Sequence, residues 1–218
     1  MAKKKSISQT DIIGYYMDYV LTHNEQPKSV YAFTKQNNFE ENNFYVFFGS
    51  FNALEQSIFK VFFENTHAVL EKSEEYKTFD ARNKLLSFYF TFFETLTANR
   101  SYVVHALQGH ENSMKSLKVL SHLKKSFTTY IEGLGINLIN VPQEQLEKIQ
   151  NRGLKESAWF QLLVTLKFWL DDTSPSFEKT DIFIEKSVQA SFDFIDVTPL
   201  KSIIDFGKFL YKEKMHSK

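Results

Sequence analysis

The sequence contains no cysteine, and only four prolines and seven glycines among 218 residues. Without cysteine the chain can form no disulfide, no thiolate zinc site and no cysteine nucleophile. So few glycines and prolines argue against β-sandwiches and β-barrels, which need many tight turns. The chain also lacks a charge excess, because 26 basic side chains face 26 acidic ones. Proteins that attract nucleic acid over their whole surface usually carry a clear basic excess.

Long apolar runs and catalytic motifs are missing as well. No stretch of about 20 apolar residues could cross a membrane, and polar residues follow the basic segment 1–5 where a secretory signal would be apolar. There is no phosphate-binding loop, dinucleotide glycine fingerprint or nucleophile elbow. The six histidines are scattered, and the carboxylate pairs are adjacent in sequence. We therefore expect a cytoplasmic protein with no membrane span, no enzymatic activity, no metal and no cofactor.

Phenylalanine is abundant, with 23 residues, and apolar side chains recur at steps of three and four almost throughout. This period is that of amphipathic helices, so the sequence predicts an all-α fold. The long helix predicted at 143–171 is either continuous or broken near Gly153. The apolar stretch 136–141 is expected to be a loop. The predicted helices span residues 8–22, 28–36, 41–48, 51–72, 79–99, 112–134, 143–171, 176–196 and 198–211.

The segment 28–54 contains two short predicted helices joined by a turn at Asn37 and Asn38. It resembles the helix–turn–helix of the TetR/AcrR family of bacterial transcriptional regulators, over a region of about residues 10–60. The resemblance implies a TetR-like architecture, with a three-helix DNA-binding head at 1–50 and a helical ligand-binding and dimerisation domain at 51–218. The positions that match the family pattern are Val30, Phe33, Phe39, Phe44, Tyr45, Phe48 and Leu54.

The same resemblance implies candidate contacts to operator DNA. Tyr45 stands where the family has a tyrosine and could bind a phosphate. Asn42 and Asn43 could reach base edges, since asparagine pairs well with adenine. Lys28, at the start of the motif, completes the candidate set. Two subunits would place their recognition helices in successive major grooves.

A homodimer interface is expected from the helices 143–171 and 176–196, as in the four-helix bundle of the family. Their apolar side chains are candidates for this interface or for the core of one subunit. The interface candidates are Trp159, Leu163, Phe177, Ile184 and Phe192.

An aromatic group in the region 88–105 is a candidate pocket for a small hydrophobic ligand of lipid-like character. An apolar pocket with few polar anchors suits such a ligand, and ordinary core packing is the alternative for the same residues. The pocket candidates are Phe88, Phe92, Phe93, Tyr102 and His105.

Two departures from the family pattern leave the function open. Glu40 and Glu41 begin the recognition helix, where the family has small or basic residues, and Phe51 replaces a phosphate-binding lysine. Six lysines and six carboxylates cancel within the first 60 residues. One hypothesis is a ligand-responsive regulator that binds operator DNA as a dimer. The other is a TetR-fold protein that has lost DNA binding and acts as a lipid-binding or isoprenoid-binding accessory protein.

Overall fold

The computed structural model describes residues 7–108, 117–136 and 144–196. Within these ranges the regular structure is helical and no strand occurs, which confirms the all-α fold class. A single 3₁₀ turn covers Pro175–Phe177. The helices are α1 (Gln9–His23), α2 (Val30–Gln36), α3 (Glu41–Phe47), α4 (Phe51–Leu70), α5 (Glu74–Thr78), α6 (Ala81–Ala98), α7 (Arg100–Gln108), α8 (Ser121–Gly133), α9 (Glu144–Asp171) and α10 (Glu178–Asp196).

Most predicted helices appear within a few residues of their expected bounds, and three differences stand out. The prediction contained neither α5 nor α7, because both are short and follow directly on other elements. A turn at Leu120 separates the helical residues 117–119 from α8, which begins at Ser121, and residues 109–116 lie outside the described part of the chain. Gly153 lies inside an unbroken α9, because one glycine costs a helix only about 1 kcal/mol and keeps its N–H donor. The helix expected at 198–211, and all but Ile136 of the loop expected at 136–141, lie outside the described residues.

Side-chain caps explain where the first helices begin. The Ser8 hydroxyl accepts from the N–H of Asp11 at 3.1 Å, and the Asp11 carboxylate accepts from the N–H of Ser8 at 2.9 Å. This reciprocal pair is a capping box. Ser29 and Ser50 cap α2 and α4 without the reciprocal bond, since each hydroxyl accepts from the N–H three residues on. The turn between α2 and α3 passes through Asn38 at φ 57°, a left-handed conformation that asparagine tolerates.

The chain divides into two compact units. The first comprises the described residues of Met1–Lys72 and Thr91–Phe127, and the second those of Ser73–Phe90 and Thr128–Lys218. These units do not follow the predicted boundary at residue 50, because the first three helices pack together with α4 and later segments. The functional division into a head and a ligand domain therefore remains a prediction.

Aromatic side chains form the core of the first unit around the helix–turn–helix. Phe33 on α2 is fully buried. Its ring meets those of Phe44 on α3 and Phe51 on α4 edge to face, at centroid distances of 6.3 and 5.6 Å. Tyr16 on α1 stacks on Phe51 at 5.5 Å. Such aromatic pairs add to the free energy of apolar burial, and they fix the crossing of α2 and α3.

The second unit joins α9 and α10 through a buried carboxylate. Asp172, directly after α9, accepts from the N–H and hydroxyl of Thr180 at 2.9 and 2.7 Å. It also accepts from the N–H and hydroxyl of Ser174 at 2.8 and 2.7 Å. Thr180 lies in the first turn of α10. The carboxylate therefore satisfies free N–H groups there and complements the positive end of the helix dipole.

Candidate functional site

Helix α3 presents the predicted DNA-contacting side chains on its outer side. Phe44 is fully buried and holds α3 against the aromatic core. Asn42 and Tyr45 are exposed, and Asn43 is half-buried. Lys28, which precedes α2, is exposed as well. All four candidate residues are accessible to a large partner, and their role in DNA binding remains a prediction.

The electrostatics of this surface are unlike those of a strong DNA-binding site. The Tyr45 hydroxyl lies 3.5 Å from Glu41 Oε1 and donates to it, so a carboxylate stands beside the residue expected to approach a phosphate. Residues 7–60 contain three lysines and six carboxylates, and α3 itself has no lysine or arginine. Phe51 is only 8% exposed and lies in the aromatic core. Its position therefore contributes packing and no positive charge.

A cavity of about 350 Å³ lies in the second unit, and we call it the apolar cavity. Leu154 and Ala158 of α9 form one wall, and Phe192 and Ile195 of α10 form another. Leu85 of α6 contributes to it as well. Pockets that bind small organic molecules are usually of about 300–1,000 Å³ and mainly apolar. Its remaining lining residues are Ile131, Ile136, Gln150, Gly153, Ser157, Gln161, Ser191 and Phe194.

One side of the apolar cavity carries a polar network between α9 and α10. Gln161 Nε2 donates to the Ser187 hydroxyl at 3.3 Å, and the Ser191 hydroxyl donates to Gln161 Oε1 at 3.0 Å. Gln161 is thus held in one orientation by two serines of the opposite helix. A fixed amide at the edge of an apolar cavity can orient a ligand that has one hydroxyl or carbonyl group.

Sequence reasoning did not find the apolar cavity. The signal was the group of small residues on α9, with Gly153 and Ser157 about one helical turn apart and Ala158 next to Ser157. Small side chains on one face leave space where a bulkier residue would fill it. Helical spacing alone cannot show whether a neighbouring helix closes over such a face.

The structure places the five predicted pocket residues in different surroundings. Phe88 belongs to the second unit, where it is fully buried against the Tyr130 ring at 4.9 Å. Phe92 and Phe93 are buried in the first unit. Tyr102 and His105 on α7 also belong to the first unit, where Tyr102 is buried and His105 is half-buried. None of the five lines the apolar cavity, so their role as a ligand pocket remains a prediction.

Three exposed apolar side chains of α9 lie one helical turn apart, and we call these three residues the outer apolar face. Phe160 is 67% exposed, with Val164 and Phe168 following at one-turn steps on α9. Ile182 and Phe194 are the exposed apolar residues of α10. An exposed row of apolar side chains on one helix is a candidate site of protein association.

Two of the five predicted interface residues are buried in the second unit, and three are half-buried. Ile184 is fully buried and Trp159 is 8% exposed, so both belong to the core. Leu163, Phe177 and Phe192 are half-buried. The role of these five residues at a subunit interface remains a prediction.

The described residues contain neither a metal-binding cluster nor a helix that could span a membrane. They contain no group of three or more histidine, aspartate or glutamate side chains arranged to hold a metal ion. None of the helices described is long and apolar enough to span a membrane.

A helix–turn–helix followed by longer helices that enclose a cavity is the architecture of TetR-like proteins. A family model described as the tetracycline repressor-like C-terminal domain matches residues 84–210, which is more than half of the chain. The chain therefore belongs to the TetR family of regulators. The match lies outside the helix–turn–helix, so the family assignment does not depend on the motif residues. A comparison with curated protein sequences finds no significant match.

Proposed function

We propose that this protein is a ligand-responsive transcriptional regulator that acts as a homodimer and contacts operator DNA through α3. The observation that carries the proposal is the apolar cavity, which lies within residues of the second unit that the family model largely covers. A regulator needs a site whose occupancy can favour one arrangement of the protein over another. The apolar cavity is a site of suitable size and chemistry.

The lining of the apolar cavity favours a hydrophobic ligand with one hydrogen-bonding group. Leu154, Ala158 and Phe192 offer apolar contacts, and Gln161 offers a donor and an acceptor at one side. Burial of apolar ligand surface contributes roughly 25 cal/mol per Å². No charged side chain lines the cavity among the described residues, so a neutral isoprenoid or lipid-like molecule fits better than a charged one.

The outer apolar face supports the homodimer. Phe160, Val164 and Phe168 repeat at steps of four on α9, which is the spacing of a helix that packs against another helix. A second copy of the chain would cover these side chains with its own outer apolar face, since a two-fold interface uses the same patch on both subunits.

The ligand part of the proposal can be tested by filling the apolar cavity. Ala158→Phe places a ring where the cavity now lies, and Ala190→Phe makes the same change at an exposed position of α10. We expect farnesol, a neutral isoprenoid, to bind the wild type and Ala190→Phe, and to bind Ala158→Phe at least about ten-fold more weakly. Equal farnesol affinity of all three proteins, measured by calorimetry, would show that the cavity is not the binding site.

A second function is favoured by the acidic balance of residues 7–60, where three lysines face six carboxylates. Nonspecific DNA affinity comes from phosphate neutralisation, and this surface offers little of it. The protein would then be an accessory protein that binds a lipid or isoprenoid and no DNA. Binding to the upstream region of its own gene at about 50 and about 200 mM salt separates the two functions. Specific binding that weakens with salt supports the regulator, whereas ligand binding without DNA binding at the lower salt supports the accessory protein.

A further inference from the structure

The apolar cavity is open on one side, between α9 and the last turns of α10. Gly153 and Ser157 line the cavity and are exposed, and Phe194, which also lines it, is 65% exposed. A Cβ atom added to Gly153 would meet no neighbouring heavy atom within 4 Å. We call Gly153 and Ser157 the mouth of the apolar cavity. A hydrophobic ligand bound there would leave part of its apolar surface in water, which weakens its binding.

On α9 the mouth continues into the outer apolar face. The residues involved are all exposed, none of them is charged, and they follow one another at steps of three and four, which is the spacing of one side of a helix. They span about 28 Å at a rise of 1.5 Å per residue. We call them the α9 row, and its members are Ile149, Gly153, Ser157, Phe160, Val164 and Phe168.

The α9 row is symmetric about its centre, which lies between Ser157 and Phe160. Its steps of four, four, three, four and four are the same in both directions. If two copies of α9 pack antiparallel about a two-fold axis through this centre, each residue before the centre meets the partner's residue at the same distance after it. Phe160 of the partner subunit then lies over Ser157, and the partner's Val164 lies over Gly153. Large side chains of one subunit thereby meet small side chains of the other, as helix packing requires.

We propose that a second copy of the chain closes the mouth of the apolar cavity, with Phe160 of the partner subunit as the missing wall. Proteins of the TetR family typically form dimers, and the α9 row is complementary in shape to a second copy of itself. The inference rests on the proposed function, because it couples the proposed ligand site to the proposed homodimer. Each ligand site is complete only in the dimer, so ligand binding and dimerisation strengthen each other by the same factor.

The absence of cysteine from the chain allows a crosslinking test that needs no ligand. In a variant that combines Gly153→Cys with Val164→Cys, the proposed packing brings thiols of opposite subunits together, whereas about three helical turns separate the two thiols of one subunit. Both positions are exposed, so the substitutions should leave the fold intact. We expect a short bismaleimide to convert this double variant to a covalent dimer on a denaturing gel. Each single variant, the matched control, should remain a monomer on the gel.

The crosslinking result separates failure of this inference from failure of the proposed homodimer. Single variants that crosslink would show another register of the two helices. A double variant that does not crosslink, although light scattering reports a dimer, would show that the homodimer uses another surface. Either result overturns the closure of the mouth and leaves a homodimer standing, whereas a monomeric wild type overturns both.

The coupling is tested with farnesol and the double variant Phe160→Glu, Phe168→Glu, whose substituted residues do not line the apolar cavity. We expect this variant to be monomeric and to bind farnesol at least about ten-fold more weakly than the wild type in calorimetry. Farnesol should lower the dimer dissociation constant of the wild type by a matching factor. Val69→Glu, an exposed site on α4, should behave as the wild type does in both measurements.

Wild-type farnesol affinity in the monomeric variant would overturn the coupling and leave the apolar cavity as the ligand site. A dimer dissociation constant that farnesol does not change would also contradict the coupling. Failure of farnesol to bind the wild type would instead contradict the proposed ligand as well.

Discussion

Asp172 contributes to the stability of the second unit through the hydrogen bonds that its buried carboxylate accepts. Burial by itself would raise the pKa of its carboxyl, but hydrogen bonds from the side chains and backbone of Ser174 and Thr180 lower it to about 2. The neighbouring Asp181 has a raised pKa because of burial and the negative charge of Asp172. The charged carboxylate is therefore the form that the folded second unit prefers.

We predict that Asp172→Asn lowers the free energy of unfolding by roughly 1–3 kcal/mol near neutral pH, because buried donors lose a charged acceptor. The folded pKa is depressed, so this stabilisation is present above about pH 4 and is lost as the pH falls to about 2. Chemical denaturation at several pH values should show the wild type and the variant converging in acid.

The adjacent Asp171→Asn is the matched control for this measurement. Asp171 is exposed and pairs with Lys167 at the surface, where ion pairs are worth about 0–1 kcal/mol. A loss in Asp171→Asn equal to that in Asp172→Asn would contradict the assigned role of the buried carboxylate.

At the scale of the element, different sides of the single helix α9 border a cavity, pack in the core and face the surface. One side, with Leu154, Ala158 and Gln161, borders the apolar cavity. Trp169 is fully buried in the core, while Phe160 is exposed. Periodicity predicted the helix and its apolar character. It could not divide the apolar residues among cavity, core and surface, because that division depends on which helices pack against each side.

The outer apolar face leads to a prediction about oligomeric state. Phe160→Glu combined with Phe168→Glu should weaken the homodimer at least about a hundred-fold, because each subunit would bring two carboxylates into an apolar interface. In light scattering after size-exclusion chromatography, we expect a dimer for the wild type and a monomer for the double variant.

Val69→Glu provides the control for the dimer experiment. Val69 is 57% exposed on α4 and is not part of the outer apolar face, so its substitution should leave the dimer intact. A wild type that remains monomeric at high concentration, or a double variant that still forms dimers, would rule out this interface.

At the scale of the whole molecule, the absence of net charge is the property that bears most on function. The chain has equal numbers of basic and acidic side chains, and residues 7–60 are acidic in balance. Membership of the TetR family establishes a regulator fold. DNA affinity depends on basic side chains that neutralise phosphates, and residues 7–60 contain only three lysines. The residue counts of the sequence already indicate this conflict between a regulator fold and a scarcity of basic side chains. The structure adds that Phe51 lies in the core.

We predict that Glu41→Lys strengthens DNA binding by about ten-fold at about 50 mM salt, since it replaces a repulsive contact with a phosphate contact. The salt dependence should steepen accordingly. Fluorescence anisotropy with the upstream DNA measures both quantities. Glu74→Lys, a highly exposed site on α5, makes the same change in net charge and should have a much smaller effect. Equal gains in the two variants would show that α3 does not face the DNA.

The sequence by itself determined the local structure of this protein. Helical periodicity and an asparagine turn predicted most helices and the helix–turn–helix, because these features act between residues a few positions apart. Only the tertiary structure decided which side chains meet. Trp159 and Phe160 are neighbours, yet one is 8% and the other 67% exposed. The Tyr16 hydroxyl donates to Glu55 although 39 residues separate the two, because helix packing brings distant positions together.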